Sequence, residues 1–388
     1  MRKVSKLLVA ATAAAALTVL AATPALADPP TGTTPKPTDV VGVGSDTIES
    51  LFNQLSVDYN KTHTSGKLYS FDATPQNSTI TTKSGSSNCT MTRPFGSTAG
   101  ITQLEQGLKT TGGALCVDFA RSSRDRATTD PTNISFIDLA GDAVTVATQP
   151  HTNAPLNLLT HQVLAGIFSC QITQWNQIPG NSGGSSATIA AMAPQNQSGT
   201  FKFFLGAIGL TALGPCVSSS ATRQGAAGAN DQTLEENEGV DPSLNMNKAN
   251  VIFPFSVGKW IAQKFHSASC GTVSQCFANE TNCPNKTGKN LFGCDLHGTM
   301  VLDSVDGTKP TVGTGTGTVI NKSFTSVLRR LVFEVVAAPA GTIPTKLKSY
   351  FGPTGFTCNS ATATKDLKNY GFLALPKGAA QGDCGSAH

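Results

Sequence analysis

Three short stretches of this chain set small hydroxyl residues beside glycine, between a strand-like apolar run and a helix-like one. They are Gly44-Ser45-Asp46-Thr47, Gly96-Ser97-Thr98-Ala99-Gly100 and Gln197-Ser198-Gly199-Thr200. Val40 to Val43 leads into the first, and Ile48, Leu51, Phe52, Leu55 and Tyr59 follow at helical spacing. Phe95 to Leu108 repeats the rhythm with Ile101, Leu104 and Leu108, and Ser198-Gly199-Thr200 opens a helix from Phe201 to Ile208. Strand, turn and helix in alternation predict an α/β architecture. Ser45 or Asp46, and Ser97 or Thr98, are the expected N-caps. Such turns also offer unpaired backbone N–H groups and hydroxyls to an anion at the positive end of a helix. Three of them in one chain point to an oxyanion receptor.

Residues 1–27 read as a secretory leader. Arg2, Lys3 and Lys6 form a basic head, Leu7 to Ala22 is apolar, and Ala25-Leu26-Ala27 supplies a small-x-small cleavage site. The head has no Arg-Arg pair, which points to the general secretory route rather than the twin-arginine one, and the first cysteine is Cys89, so a lipid-anchored exit is not indicated. The leader carries three basic residues and no acidic one, which leaves 25 basic against 24 acidic residues in the remainder. That balance gives no pull toward nucleic acid or anionic membrane. Nothing after the leader is apolar for long enough to span a bilayer. The remaining length exceeds one ordinary core and predicts two lobes.

All ten cysteines follow the leader. An even count in an exported chain reads as up to five disulfides. Cys89–Cys116, Cys170–Cys216 and Cys358–Cys384 are the neighbour pairings to expect, although spacing does not fix connectivity. The cluster Cys270, Cys276, Cys283 and Cys294, with His297 nearby, matches no common zinc spacing and reads as a stapled surface insertion.

Asp28 to Asp39 is a Pro/Thr-rich stretch, expected to be an extended, mobile tether. Val117 to Ala120 predicts a strand ending in Arg121-Ser122-Ser123-Arg124, and Ile134 to Thr148 a strand that crosses between lobes. Val163 to Phe168 reads as helix, Thr188 to Met192 and Val251 to Phe255 as strands, and Val257 to Phe265 as helix. Phe324 to Ala337 is a late ordered segment, and Lys346 to Phe351 suggests a terminal helix. Thr211 to Asn250 is polar and irregular. Thr314-Gly315-Thr316-Gly317-Thr318 lacks a P-loop lysine and reads as a loop or edge strand. The division expected is lobe 1 over 40–147, lobe 2 over 148–300 with the insertion 270–294, and a return to lobe 1 over 301–388.

Taken in order, these segments resemble the phosphate-binding proteins of ABC importers, with the two-lobed type II solute-binding fold. Gly42-Val43-Gly44 and Gly96-Ser97-Thr98-Ala99-Gly100-Ile101 are similar to the family's first two ligand turns. Leu164-Ala165-Gly166-Ile167-Phe168 with Gln171-Ile172-Thr173-Gln174-Trp175-Asn176 resembles a further shared segment. So do Ser198-Gly199-Thr200-Phe201 and Val305-Asp306-Gly307-Thr308-Lys309-Pro310. The resemblance implies a mixed sheet flanked by helices in each lobe and a dehydrated oxyanion between lobes. It places Ser97, Ser198, Gly199 and Thr200 at the ligand. It also puts Pro194 where the family has an arginine, Ser123 where it has an aspartate, and Asp46 where it has a threonine, with Thr47 next to it. The expected site is therefore Ser45, Asp46, Thr47, Ser97, Thr98, Arg121, Ser122, Ser123, Arg124, Ser198, Gly199 and Thr200. Arg121 or Arg124 supplies the cation and Asp46 the acceptor.

The function so implied is a secreted, monomeric solute-binding protein that holds phosphate or a related oxyanion. It needs no cofactor or metal, and it serves an ABC-type permease or extracellular scavenging. Two alternatives stay open: a phosphoesterase-like hydrolase with Ser97 or Ser198 as nucleophile, and a surface or adhesion protein whose cleft has decayed. The first lacks a G-x-S-x-G elbow and an assignable histidine base.

Overall fold

The computed structural model describes residues 28–29, 32–73, 76–220, 233–266, 296–378 and 380–388. Its strands begin β1 (Val40–Gly44), β2 (Leu68–Ser70), β3 (Thr79–Thr81), β4 (Thr90–Thr92), β5 (Phe119–Ser122), β6 (Ser135–Thr148) and β7 (Ala190–Ala191). β8 (Val251–Ser256), β9 (Val301–Leu302), β10 (Thr311–Val312), β11 (Val319–Ile320), β12 (Arg329–Val336) and β13 (Leu373–Ala374) follow. The helices that frame the cleft are α1 (Glu49–Thr62), α2 (Ser97–Gln106), α3 (His161–Phe168), α4 (Gly199–Ala207), α5 (Pro242–Asn245) and α6 (Val257–Ile261).

The chain is built around β6, whose 14 residues are buried throughout. A strand covered on both faces tolerates apolar and β-branched residues at successive positions, as its sequence supplies. Its first part pairs antiparallel with β12, and its last residues pair with β8 and β9. The resulting sheet runs β2-β1-β5-β12-β6-β8-β7, with β1 parallel to β2 and β5 and antiparallel pairing elsewhere around β12.

Alternation along β1 feeds two cores. Val40 packs with Phe52, Leu55, Phe119 and Phe351 on one side of the sheet, whereas Val41 and Val43 pack with Ile101, Leu104 and the Cys89–Cys116 pair on the other. A third core holds Val144, Val146, Trp175, Phe204, Phe253 and Phe255. Phe136 and Leu139 lie in the first two cores and Ala143 to Ala147 in the third, so β6 crosses between lobes. Val305, Ile320, Phe324 and Leu328 also pack in the third core. β12 then pairs with β5 and with the first part of β6, beside the first two cores.

Several local expectations are corrected. α1 starts at Glu49 with Ile48 as N-cap, and α2 starts at Ser97 with Gly96 as N-cap, neither with a side-chain cap. Ser45 Oγ and Ser97 Oγ bond Glu236 and Ser123 instead, and Thr98 Oγ1 meets Arg124. Ser198 does cap α4, accepting from Phe201 N at 3.0 Å. The helix Thr345–Phe351 is not terminal, because helices Phe356–Asn359 and Ala361–Asn369 follow it. The Gly/Thr run forms a 3-10 turn, Gly315–Gly317, between β10 and β11. The tether is docked at its start: Asp28 pairs with Arg93 at 2.7 Å and accepts from Asp72 N at 2.9 Å. A carboxylate with a buried guanidinium partner and a backbone donor outweighs the mobility of a proline-rich stretch.

All three expected disulfides are formed, with Cα–Cα distances of 5.1, 5.9 and 5.5 Å for Cys89–Cys116, Cys170–Cys216 and Cys358–Cys384. Each joins neighbours in the chain that the fold brings within bridging distance. The leader and the cluster Cys270 to Cys294 lie outside the described residues. Among the described residues no helix is long and apolar enough to cross a membrane.

Asp303 follows β9 and is 2 % exposed. Thr148 Oγ1 donates to its Oδ1 at 3.1 Å, while Oδ2 has no hydrogen-bond partner among the described residues. Burial pushes its carboxyl up to about 7 against that hydrogen bond. The folded state therefore holds a proton that the unfolded chain releases near pH 4, and stability falls as pH rises from about 4 to about 7. Asp303→Asn is expected to flatten this slope by up to about 1.4 kcal/mol per pH unit. Urea unfolding across that range checks it, and parallel curves for the two proteins would remove Asp303 as the cause.

Candidate oxyanion-binding site

The three hydroxyl turns converge. β1 ends at Gly44 and delivers Ser45 and Thr47, α2 begins with Ser97, and α4 begins with Gly199 and Thr200 after its cap Ser198. Ser45, Thr47, Ser97, Ser122, Ser123, Ser198 and Thr200 are all 1 % exposed or less. The approach is close enough to demand glycine at 199, where a Cβ would sit 2.2 Å from Ser97 Oγ and 2.4 Å from Ser123 Oγ. Gly96 takes φ +101° and faces Gln197 O, which accepts from Thr98 N at 3.1 Å. The lobes are closed on one another along this line.

At the centre of the convergence is a carboxylate that the sequence reading did not nominate. Glu236 Oε1 lies 2.9 Å from Thr47 Oγ1 and 3.2 Å from Ser45 Oγ. Its Oε2 accepts from Thr200 N at 2.9 Å and from Ser198 Oγ. Arg330 Nη2 donates to Thr200 Oγ1 at 2.9 Å, and Thr200 Oγ1 lies 3.2 Å from Thr47 Oγ1. Since Thr47 gives its one proton to Glu236, the order of donation runs Arg330 to Thr200 to Thr47 to Glu236. Each bond in such a row polarises the next. Asn237 Nδ2 adds a further donor to Thr47 at 3.2 Å.

The charges agree with this ordering. Burial would raise the Glu236 carboxyl, but the hydrogen bond from Asp46, the Arg330 charge and the bonds from Ser198 and Thr200 bring it down to about 2. Asp46, 7 % exposed, is shifted the other way, well above the ordinary carboxylate range, by burial and then by the Glu236 charge and hydrogen bond. The two carboxyls titrate as a pair, with Asp46 the harder of the two to ionise.

The cation of the site is Arg330, which the sequence reading passed over. It lies opposite Asp142 in the β12–β6 ladder, and its Nη2 and Nε reach Asp142 Oδ2 at 2.8 and 3.0 Å. Its Nη1 donates to Ser123 O at 2.7 Å. Asp142 is completed by Ser256 Oγ at 2.9 Å and Gly258 N at 3.0 Å. Arg121 and Arg124 are turned to other partners. Arg121 is fully buried and donates to Ser45 O, Gly44 O and Ser70 Oγ, so it braces the first turn from behind. Arg124 forms a forked pair with Asp130 at 2.6 and 2.9 Å, with Thr98 Oγ1 at 3.4 Å. Ser122 Oγ donates to Arg124 O at 2.7 Å, and Ser123 Oγ lies 3.0 Å from Ser45 Oγ and 3.3 Å from Ser97 Oγ.

Both missed residues left a trace. Arg330 and Glu334 are charges on one face of a strand that is apolar from Leu331 to Phe333 and at Val335 and Val336, which is costly unless partnered. Glu235, Glu236 and Glu238 crowd into the polar stretch of a chain with few acids. Chemically, the site is a buried cradle of hydroxyls and a helix-start N–H around one carboxylate, and among the described residues no histidine bonds Ser97 or Ser198.

The comparisons with known proteins agree with this architecture. Residues 29–259 match the family model described as a PBP superfamily domain, and the chain belongs to that superfamily. No curated relative matches it. It is similar in fold to an ABC-type phosphate transport receptor from Vibrio cholerae, at 17% identity and TM-score 0.51, covering 87% of this chain and 100% of that one. A second similar structure, from Clostridium perfringens, is described as a phosphate ABC transporter substrate-binding protein with bound phosphate. It shares 15% identity at TM-score 0.51, over 86% of this chain and 98% of that one.

Proposed function

We propose that this chain is an exported solute-binding protein that closes its lobes on phosphate or a related small oxyanion, without catalysis. The observation that carries the reading is the convergence of Ser45 Oγ, Thr47 Oγ1, Ser198 Oγ and Thr200 N on one pair of carboxylate oxygens. Donors so arranged, in a buried site, suit an oxyanion of two or more oxygens. Arg330 takes the part of the cation, with Asp46 as a protonated partner able to donate as well as accept. The phosphate named for both similar proteins supports phosphate as the first ligand to test. Export through residues 1–27, a monomeric state, and delivery to a permease or extracellular scavenging complete the proposal.

Closed binding of this kind needs only contacts that the open form lacks. Millimolar phosphate is expected to raise the unfolding temperature of the chain lacking residues 1–27, by mass action on the folded state. Ser198→Ala, made in a Glu236→Ala background so that the bond to Glu236 is not lost with it, removes one hydrogen bond to a ligand oxygen, worth about 1.5–3 kcal/mol, and is expected to weaken phosphate binding at least tenfold by titration calorimetry. An unchanged affinity would take Ser198 out of the site. One observation favours a second reading, a protein with a retired cleft: the cradle is filled by the chain itself. That reading requires that no small oxyanion stabilise the protein.

A further inference from the structure

We infer that Glu236 is a tethered occupant of the oxyanion cradle, which holds the lobes closed without ligand and must leave before a small oxyanion can enter. The inference rests on the function proposed above and adds how access to the site is controlled. Its ground is competition for the same atoms. Thr47, Ser198 and Thr200, donors nominated for a ligand by the first and third turns, point at the Glu236 oxygens, and Ser45 divides its proton between Glu236 Oε1 at 3.2 Å and Ser123 Oγ at 3.0 Å. A hydroxyl has one proton and the Thr200 amide has one, so neither can serve a second oxyanion while Glu236 stays.

Glu236 is presented from one lobe and reaches across to the other. Its neighbours are tied to the second lobe: Leu234 N donates to Ser219 O at 2.8 Å, Leu234 O accepts from Gln195 N at 2.8 Å, and Leu234 is fully buried in the third core. Asn237 turns at φ +65°, a left-handed conformation that asparagine tolerates well, and its side chain accepts from Ser256 N at 3.0 Å. Gln263 Nε2 donates to Asn237 O at 2.9 Å. From this mount the Glu236 side chain crosses to Ser45 and Thr47, which follow β1 in the first lobe. Glu235 beside it spans the same gap, bound by Gln76 of the first lobe and 3.4 Å from Gln195 Nε2 of the second.

A carboxylate on a short loop is present at a high effective concentration, yet it brings two oxygens and one charge where a free phosphate brings four oxygens and more charge. The tethered group therefore sets a threshold rather than a block. Apparent affinity falls by the fraction of molecules whose cradle is free.

The test compares wild type with Glu236→Ala and Glu236→Gln in titrations with inorganic phosphate, and in thermal unfolding with sodium phosphate or sodium formate. Formate stands in for the carboxylate that alanine removes. Glutamine keeps the shape and guards against a variant that fails to fold. The expected result is phosphate binding at least tenfold tighter in Glu236→Ala, a smaller gain in Glu236→Gln, and recovery of Glu236→Ala stability by formate. Equal phosphate affinity in wild type and both variants would overturn the tethered occupant while leaving the receptor reading intact. Stabilisation of Glu236→Ala by formate but not phosphate would support the occupant and overturn phosphate as the ligand. A Glu236→Ala protein that answers to neither anion would overturn both.

Discussion

Arg330→Ala is expected to destabilise the protein by about 3–5 kcal/mol, because it leaves the Asp142 carboxylate buried without its counter-charge. Arg330 and Asp142 side chains are 2% and 0% exposed, so water cannot replace the lost partner. Ser256 Oγ and Gly258 N stay on Asp142 and limit the loss. The pairwise contribution is read from a double-mutant cycle with Asp142→Asn, by urea unfolding. Asp142→Asn combined with Arg330→Ala should be far less damaging than the sum of the two changes, since no unpaired carboxylate remains. A single-variant loss under about 1 kcal/mol would show that the pair is not the buried, water-free contact described above. The same variant also breaks the donation row at its source, so phosphate binding should weaken alongside stability.

Removing the Cys89–Cys116 disulfide, as Cys89→Ala with Cys116→Ala, is expected to cost about 3.5 kcal/mol from the loop that the bond closes in the unfolded chain. The bond spans 27 residues, and both cysteines are fully buried in the core beside Val41, Val43 and Ile101. It ties the end of β3–β4 to the segment entering β5, the strand that carries Arg121 behind the first ligand turn. The loss should therefore appear in urea unfolding of the oxidised protein. Under about 1 kcal/mol would mean that the unfolded chain is already restricted in this region.

The turns at Gly44, Gly96 and Ser198 were legible because each is a local event. An apolar run, a glycine and a hydroxyl within about a dozen residues specify a strand, a break and a helix start. The role of those hydroxyls was less legible. Ser45 and Ser97 look like helix caps in isolation, yet Ile48 and Gly96 hold those positions. Ser45 reaches the buried Glu236 carboxylate and Ser97 accepts from the buried Ser123 N, and both are better partners than a backbone N–H facing water. Arg121 and Arg124 drew attention because they follow a strand near the third turn, and both proved committed to scaffold partners.

By itself the sequence determined the alternation of strand and helix, the placement of the three hydroxyl turns, and the near-neutral charge after residue 27. Those properties depend on residues near one another, where period, turn chemistry and short loops act directly. Only the tertiary structure decided which charges enter the site. Arg330 meets Asp142 across 188 residues through the register of β12 on β6. Glu236 meets Thr47 across 189 through the closure of one lobe on the other. Register and closure are set by the summed burial of many side chains, so no local pattern announces which distant carboxylate will fill a cradle that local patterns build.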